Sequence, residues 1–337
     1  MVMKKTTIQA SSDIALIKYW GKKDEVLRLP ENGSISIILS GLDTVTTVEF
    51  REDLIQDQVF IQGEEIENVS IEAQRVSKHL DRMRDLAKER KITGANWFAK
   101  VVSKNTFPRG TGLSSSGSGM AALTYAAARA LGLDVSEKEL SILSRQASGT
   151  ACRCVCGGFV EWLDGDTSDT SYSHTIFSKE HWDIRDVVAV VDEGRKKISS
   201  TEGHTTAQTS PFFKVRQDRI KQKIELVKQA IAEKNFTELG KIVEAEALEF
   251  HSILLTSEVP LILWYPGTVQ VMHEVQKMRE EGIECYFTIN TGFNLHILTL
   301  PEFEAEVNQR LFALPLVVKT LTATIGDKPK EISEHLF

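Results

Sequence analysis

Residues 107–120, FPRGTGLSSSGSGM, constrain the fold of this 337-residue chain more than any other stretch, because they set a run of glycines and serines between segments of different preference. Ahead of the run, Ala95 to Val102 (ANWFAKVV) has the β-branched and aromatic content of a strand. Behind it, MAALTYAAARALGL predicts an alanine-rich helix ending at Gly132. A strand, a small-residue loop and a helix N-terminus make an anion site: backbone N–H groups can approach closely, and the helix dipole favours negative charge. The serine hydroxyls add ligands for phosphate oxygens or a Mg²⁺. No Gly-Lys-Ser/Thr closes the loop, so it is not a Walker A motif, and Gly110-Thr111-Gly112 lacks the third glycine of the dinucleotide fingerprint. On these residues alone, a flexible serine-rich surface loop is the competing reading.

Composition limits the surface around such a site. With 40 Lys and Arg against 47 Asp and Glu the net charge is −7, which excludes a broad nucleic-acid face and leaves a local pocket. At 42% apolar and 26% charged the chain reads as globular, with length for two cores and no eighteen-residue apolar run to span a membrane. MVMKKTTIQASSD carries two lysines with no apolar stretch after them, so a cytoplasmic protein is expected. Cys152, Cys154 and Cys156, read as alternating along a strand, and the lone Cys285 lack zinc-ligand spacing and are expected to be buried reduced thiols.

Short β-rich segments open the chain at 6–10, 14–19, 34–39, 44–50 and 58–62, broken by Gly21, Pro30, Gly33, Gly41 and Gly63. Val76, Leu80, Met83 and Leu86 predict a helix over 71–90, and Ser136 with Glu139 forms a capping box for another. GGFVEW (157–162) and TSYSHTI (170–176) read as a strand pair, VVAVV (187–191) as a buried strand. Helices then dominate at 211–233, 236–254 and 264–281, with CYFTI and LHILTL as strands. That shift divides the chain into domains 1–185 and 186–337, and the irregular order of elements predicts an α+β fold.

Two more stretches carry candidate chemistry. Ile17-Lys18-Tyr19-Trp20-Gly21-Lys22-Lys23 sets lysines at a strand end beside aromatic walls, suiting either a polyanion or a charge-protected edge strand. Ala147 to Arg153 (ASGTACR) puts small hydroxyl residues and an arginine at a helix end, where burial of an unpaired guanidinium would call for an anion.

Taken together, IALIKYWGK (14–22), Leu29-Pro30 to Ser36, the PxxxGLxSS loop (108–116), SGTACR (148–153) followed by GGFVEW, SSTEG (199–203) and YFTINTGFN (286–294) resemble the diphosphomevalonate decarboxylases. The loop alone marks the wider GHMP kinases; IKYWGK and SGxACR are the specific segments. The resemblance implies the two-domain GHMP kinase fold with its site in the interdomain cleft, and a cytoplasmic, ATP- and Mg²⁺-dependent enzyme of isoprenoid biosynthesis. Its reaction would phosphorylate the 3-hydroxyl of mevalonate 5-diphosphate and then lose phosphate and CO₂ to give isopentenyl diphosphate. By position it implies that Lys18 lies at the reacting hydroxyl, that Tyr19, Lys22 and Arg75 hold the 5-phosphates, and that Ser148, Thr150, Arg153, Ser199 and Ser200 bind substrate, Arg153 at its carboxylate. Gly112, Ser114, Ser115, Ser116, Gly117 and Ser118 fall in the nucleotide loop, with Ser115 as the Mg²⁺ ligand. Homodimerisation is a further expectation; no nucleic acid or membrane is expected as a partner. Lys22, Lys23 and Arg75 suit two phosphates, with phosphomevalonate decarboxylase as the alternative.

Departures from the resemblance bear on catalysis. Where it implies a catalytic aspartate, Asn290 stands, and an amide cannot accept the hydroxyl proton. Phe293 replaces a proline, and Asp13 and Glu246 replace asparagines. Asn290 is read in three ways: an engineered change, a natural one with its carboxylate relocated to Asp13, or loss of phosphorylation in a non-catalytic paralogue. A regular strand would put Asp13 and Lys18 about 17 Å apart on opposite faces, against relocation.

Overall fold

The computed structural model describes residues 4–194 and 200–337, the side chains of 200–202 excepted. The first half contains β1 (Thr6–Ile17), β2 (Lys22–Asp24), β3 (Leu29–Pro30), β4 (Ser34–Arg51), β5 (Gln58–Ile61), β6 (Glu64–Glu65), α1 (Ile71–Glu89), β7 (Phe98–Asn105), α2 (Ser115–Leu131), α3 (Glu137–Ala147), β8 (Phe159–Trp162) and β9 (Ser173–Phe177). The second contains β10 (Arg185–Val190), α4 (Ser200–Thr205), α5 (Phe213–Glu233), α6 (Phe236–Thr256), α7 (Pro266–Glu280), β11 (Cys285–Thr288), β12 (Leu295–Thr299), α8 (Glu304–Phe312), β13 (Lys319–Ile325) and β14 (Lys330–Ile332). The fold is α+β. Twelve of these strands make one mixed sheet, with β11-β12-β10-β13-β4-β7-β5-β6 in order and β1, β14, β8 and β9 off that path.

The eighteen-residue β4 is the axis, pairing with β1, β7 and β8 and, through Leu39 and Ser40, with β13. One sheet therefore runs from the first half into the second, and β14 returns to β1. Two predicted breaks are absent. β1 and β4 each continue where the sequence suggested a pair of strands, because Gly41, at φ +100°, is accommodated in a bulge opposite Ser11 and Ser12. The cysteine run is a 3-10 turn over Gly149–Cys152 followed by turns, not a strand; all four thiols are free and buried.

Helix α2 is surrounded on most sides, against β1, β4, α1 and α3, and its fully buried Ala121, Ala122, Ala126 and Ala127 let those neighbours approach. Helix α1 buries Val76, Leu80 and Met83 at the spacing read from sequence, starting at Ser70, whose hydroxyl accepts from Ala73 N. The Ser136–Glu139 capping box of α3 is formed. In the second half α5 packs on α6, and α6 and α7 cover β11. Trp20, Phe213, Phe250 and Leu254 make a small core where the segment after β1 meets α5 and α6.

Candidate active site

Between the halves lies a cavity of about 570 Å³, whose walls bring together Lys18, Ser115, Arg153 and Asn290. One wall is the glycine–serine loop. Gly112 has φ +97°, and a Cβ on it would come 2.7 Å from Gly292 Cα, so the loop lies backbone to backbone on residues 290–294. Helix α2 starts at Ser115 after Ser114, a non-glycine residue at φ +57° whose side chain makes no capping bond. Its hydroxyl donates instead to Asp13 Oδ1 at 2.6 Å. The first amides of α2 thus face the cavity without a side-chain cap, where an anion gains both N–H donors and the helix dipole. Ser114, Ser115 and Ser116 line the cavity. Ser118 does not: it is fully buried, with its hydroxyl on Thr44 Oγ1 at 2.7 Å, and it anchors α2 to β4. A Cβ on Gly117 would press on Ser114 Oγ and Thr150 Oγ1, so this glycine lets α2 and the Thr150 turn close together.

Lys18, which also lines the cavity, follows the end of β1 and folds back. Its Nζ donates to Ala15 O at 2.5 Å, Thr288 Oγ1 at 2.7 Å and Asn290 Oδ1 at 3.2 Å. Its peptide is gripped on both sides, the N–H by Glu246 Oε1 and the carbonyl by Arg216 Nη2 and Asn32 Nδ2. Glu246, fully buried on α6, also accepts from Arg216 and Lys223; burial disfavours its charge, but those two cations hold its carboxyl below the usual range. Burial pulls the Lys18 ammonium down to about 7; Glu246 and Asp13 oppose the fall, while Arg153 and Arg216 deepen it. His251 is buried beneath, its Nε2 donating to Asn290 O at 3.0 Å, and burial drives its pKa down to about 3.

Asp13 sits elsewhere than strand geometry suggested. Register shifts at Ser11/Ser12 and Ala15/Ile17 and the folded-back Lys18 side chain bring both residues into the same electrostatic environment. Asp13 Oδ2 accepts from Arg153 Nε at 2.8 Å and both side chains are buried, so the anion expected for Arg153 is supplied within the protein. Burial disfavours the Arg153 charge, but Asp13 more than offsets it. With Oδ1 on Ser114 and Oδ2 on Arg153, Asp13 lies behind the cavity wall and positions groups that reach it. Phe293 is a core ring stacked on Tyr265 at 4.7 Å between centroids, which accounts for an aromatic residue there.

Tyr19, Lys22, Arg75, Ser148 and Thr150 also line the cavity. Tyr19 is buried, its hydroxyl has no partner among the described residues, and burial raises its pKa. Lys22 Nζ donates to Glu25. Lys23 points away to Asp166 and the Asp164 carbonyl, so it does not join the cationic set predicted for two phosphates. Ser199 lies outside the described residues; Ser200 begins α4, its side chain likewise outside the description. His204 of α4, which the motifs did not single out, stacks on Tyr19 and Trp20 and takes the Gly21 N–H on Nδ1. Arg216, on α5, escaped the motifs, while Asn32 and Thr288 lay within motif segments without being singled out; each makes one contact to Lys18.

An α+β fold with an uncapped helix N-terminus over a cationic interdomain cleft defines the GHMP kinase class of small-molecule phosphoryl-transfer proteins. Residues 10–173 match the diphosphomevalonate decarboxylase-like N-terminal domain family and residues 186–333 the mevalonate 5-diphosphate decarboxylase C-terminal domain family. The chain belongs to the diphosphomevalonate decarboxylase family. It is 32% identical to diphosphomevalonate decarboxylase of Saccharomyces cerevisiae, over 93% of this chain and 82% of that one. It is also 32% identical to phosphomevalonate decarboxylase of Haloferax volcanii, over 90% and 91%. Among solved structures it resembles mevalonate diphosphate decarboxylase from Staphylococcus aureus, with TM-score 0.90 and 34% identity over 98% of both chains. Another is MDDEF in complex with MVAPP, AMPPCP and magnesium, with TM-score 0.89 and 33% identity over 97% of this chain and 98% of that one.

Proposed function

We propose that the chain is an ATP-dependent decarboxylase that phosphorylates the 3-hydroxyl of mevalonate 5-diphosphate and then loses phosphate and CO₂ to form isopentenyl diphosphate. The observation that carries this reading is the convergence of the uncapped α2 N-terminus, Lys18 and Arg153 on one cavity. The relatives' names and the bound MVAPP, AMPPCP and magnesium of the similar structure support it. ATP supplies the phosphoryl group when bound, and Mg²⁺ neutralises its phosphates; the α2 amides and the hydroxyls of Ser114, Ser115 and Ser116 suit that load, Ser115 as the metal ligand. Ser148 and Thr150, with Ser199 and Ser200, belong on the substrate side.

Asn290 changes which group takes the proton. A carboxylate there would hold Lys18 charged; an amide adds no negative charge, and burial leaves Lys18 titrating close to neutrality. In the fraction of molecules with a neutral amine, Nζ accepts the 3-hydroxyl proton as the oxygen meets the phosphoryl group. The ammonium so formed then opposes the charge of the departing phosphate, beside Arg153, which has Nε on Asp13 and Nη1 on Ser34 and keeps Nη2 for the substrate carboxylate before it leaves as CO₂. Phosphoryl transfer through a loose transition state relies mainly on positioning and charge, so a lysine acceptor suffices.

A 5-monophosphate substrate is the second reading, supported by the Haloferax relative. A cytoplasmic location is part of the proposal, consistent with four reduced thiols, as are domains 1–185 and 186–337; homodimerisation rests on resemblance alone. Purified protein given ATP, Mg²⁺ and mevalonate 5-diphosphate should release ADP and CO₂ in equal amounts. ADP without CO₂ would make it a kinase, and neither product a non-catalytic paralogue.

A further inference from the structure

The cation that the motifs passed over, lining the cavity beside the C-terminus of α3, is Arg28. It ends the turn between β2 and β3, which Asp24 shapes by accepting from Leu27 N at 2.7 Å, and it has a left-handed backbone at φ +53°. Such a conformation is strained for a long side chain. Two contacts fasten it to the last turn of α3: Arg145 Nε donates to Leu27 O at 3.0 Å, and Arg28 Nε donates to Gln146 O at 3.2 Å. Arg75, from α1, donates its own Nε to the next carbonyl, Ala147 O, at 2.9 Å. Two guanidinium groups are thus held side by side on the C-terminal carbonyls of α3, and both line the cavity. Among the described residues neither has a carboxylate partner: the nearby Glu25 is on Lys22 and Glu72 on Arg109. Burial and then the Arg28 charge push Arg75 down to about 10, and burial followed by Arg28 also lowers Arg82. Tyr19, whose buried hydroxyl has no partner among the described residues, lines the same cavity next to Gly149.

We infer that Arg28 is a specificity-determining residue which, paired with Arg75, binds the terminal phosphate of a diphosphate substrate and so separates it from the monophosphate. This rests on the decarboxylase reading above and gives its substrate end a chemical cause. Each guanidinium keeps N–H donors after its carbonyl contact, and the two forks together suit the three free oxygens of a terminal phosphate, which a diphosphate carries one group further from the reacting 3-hydroxyl than a monophosphate does.

Arg28→Asn keeps a residue that tolerates the left-handed backbone and removes the charge; Arg28→Lys keeps the charge without the fork. With mevalonate 5-diphosphate, Arg28→Asn should lose roughly 10- to 100-fold in kcat/KM, mostly through KM, while kcat/KM for the 5-monophosphate stays within about twofold. Arg28→Lys should recover part of the loss. Equal losses on both substrates, or none, would overturn the assignment. If the parent turns over neither substrate, the decarboxylase reading fails, and the arginine pair is still testable by calorimetry with ADP and Mg²⁺ filling the phosphate loop. Inorganic pyrophosphate should then bind the parent more tightly than inorganic phosphate and lose that advantage in Arg28→Asn; an unchanged ratio would overturn the site.

Discussion

Asp13 and Arg153 show how one substitution redistributes the work of a site. Both are buried, and the carboxylate spans the arginine and the loop serine. Asp13→Asn keeps an acceptor for Ser114 but leaves Arg153 less neutralised, with Ser34 Oγ as its other partner at 2.8 Å. Loss of a charge-assisted bond should lower stability by about 1–3 kcal/mol, read as a shift in the urea midpoint. Because Asp13 also raises the Lys18 pKa, the same variant should move the acid limb of the rate profile to lower pH. A stability equal to the parent's would mean that the pair contributes nothing. Sequence showed Asp13 and Asn290 as two departures, yet not that Asp13 is committed to Arg153, since that contact depends on a bulged strand and a 3-10 turn 140 residues away.

At the scale of elements, α5 and α6 act as a clamp on the turn after β1. Glu246 on α6 balances Arg216 and Lys223 from α5 while holding the Lys18 amide. Glu246→Gln leaves Arg216 without its carboxylate and Lys223 with Glu249 alone, and breaking a buried network of this kind costs about 3–5 kcal/mol. Chemical denaturation checks this, and a loss below about 1 kcal/mol would show the clamp to be solvated. The loop offers a separate test. Gly112→Ala combines a left-handed φ with a Cβ aimed at Gly292, so it should destabilise the protein by more than about 1 kcal/mol and raise the KM for ATP with little change in the substrate KM. The α1, α2 and α3 helices were legible because their caps and apolar spacing are local. The β1 and β4 strands looked broken because a glycine in a bulge reads like one in a turn. Arg28 escaped because its role comes from α3, more than a hundred residues downstream.

Across the whole molecule, the continuous sheet brings the two halves to one point. Lys18 receives Asp13 and Arg153 from the first half, and Arg216, Glu246, Thr288 and Asn290 from the second. The fold also stores a general acid sensitivity. Burial lowers His79 and His251 to about 3, so between that value and about 6.5 the unfolded chain binds protons that the folded one refuses. Stability rises with pH in that window, and moving from pH 7 to pH 5 should remove roughly 2 kcal/mol per histidine, visible in urea midpoints. The catalytic acid limb is distinct from this loss, because it belongs to Lys18 and answers to position 290. The decisive comparison is kcat against pH, from 5.5 to 9 on protein shown to be folded throughout, for the parent and for Asn290→Asp. The parent should gain activity as Lys18 loses its proton through about pH 7. In Asn290→Asp the new carboxylate should keep Lys18 charged and take the proton itself, so that this limb disappears to lower pH. A parent profile that is flat across pH 7, or one that Asn290→Asp leaves unmoved, would contradict Lys18 as the proton acceptor.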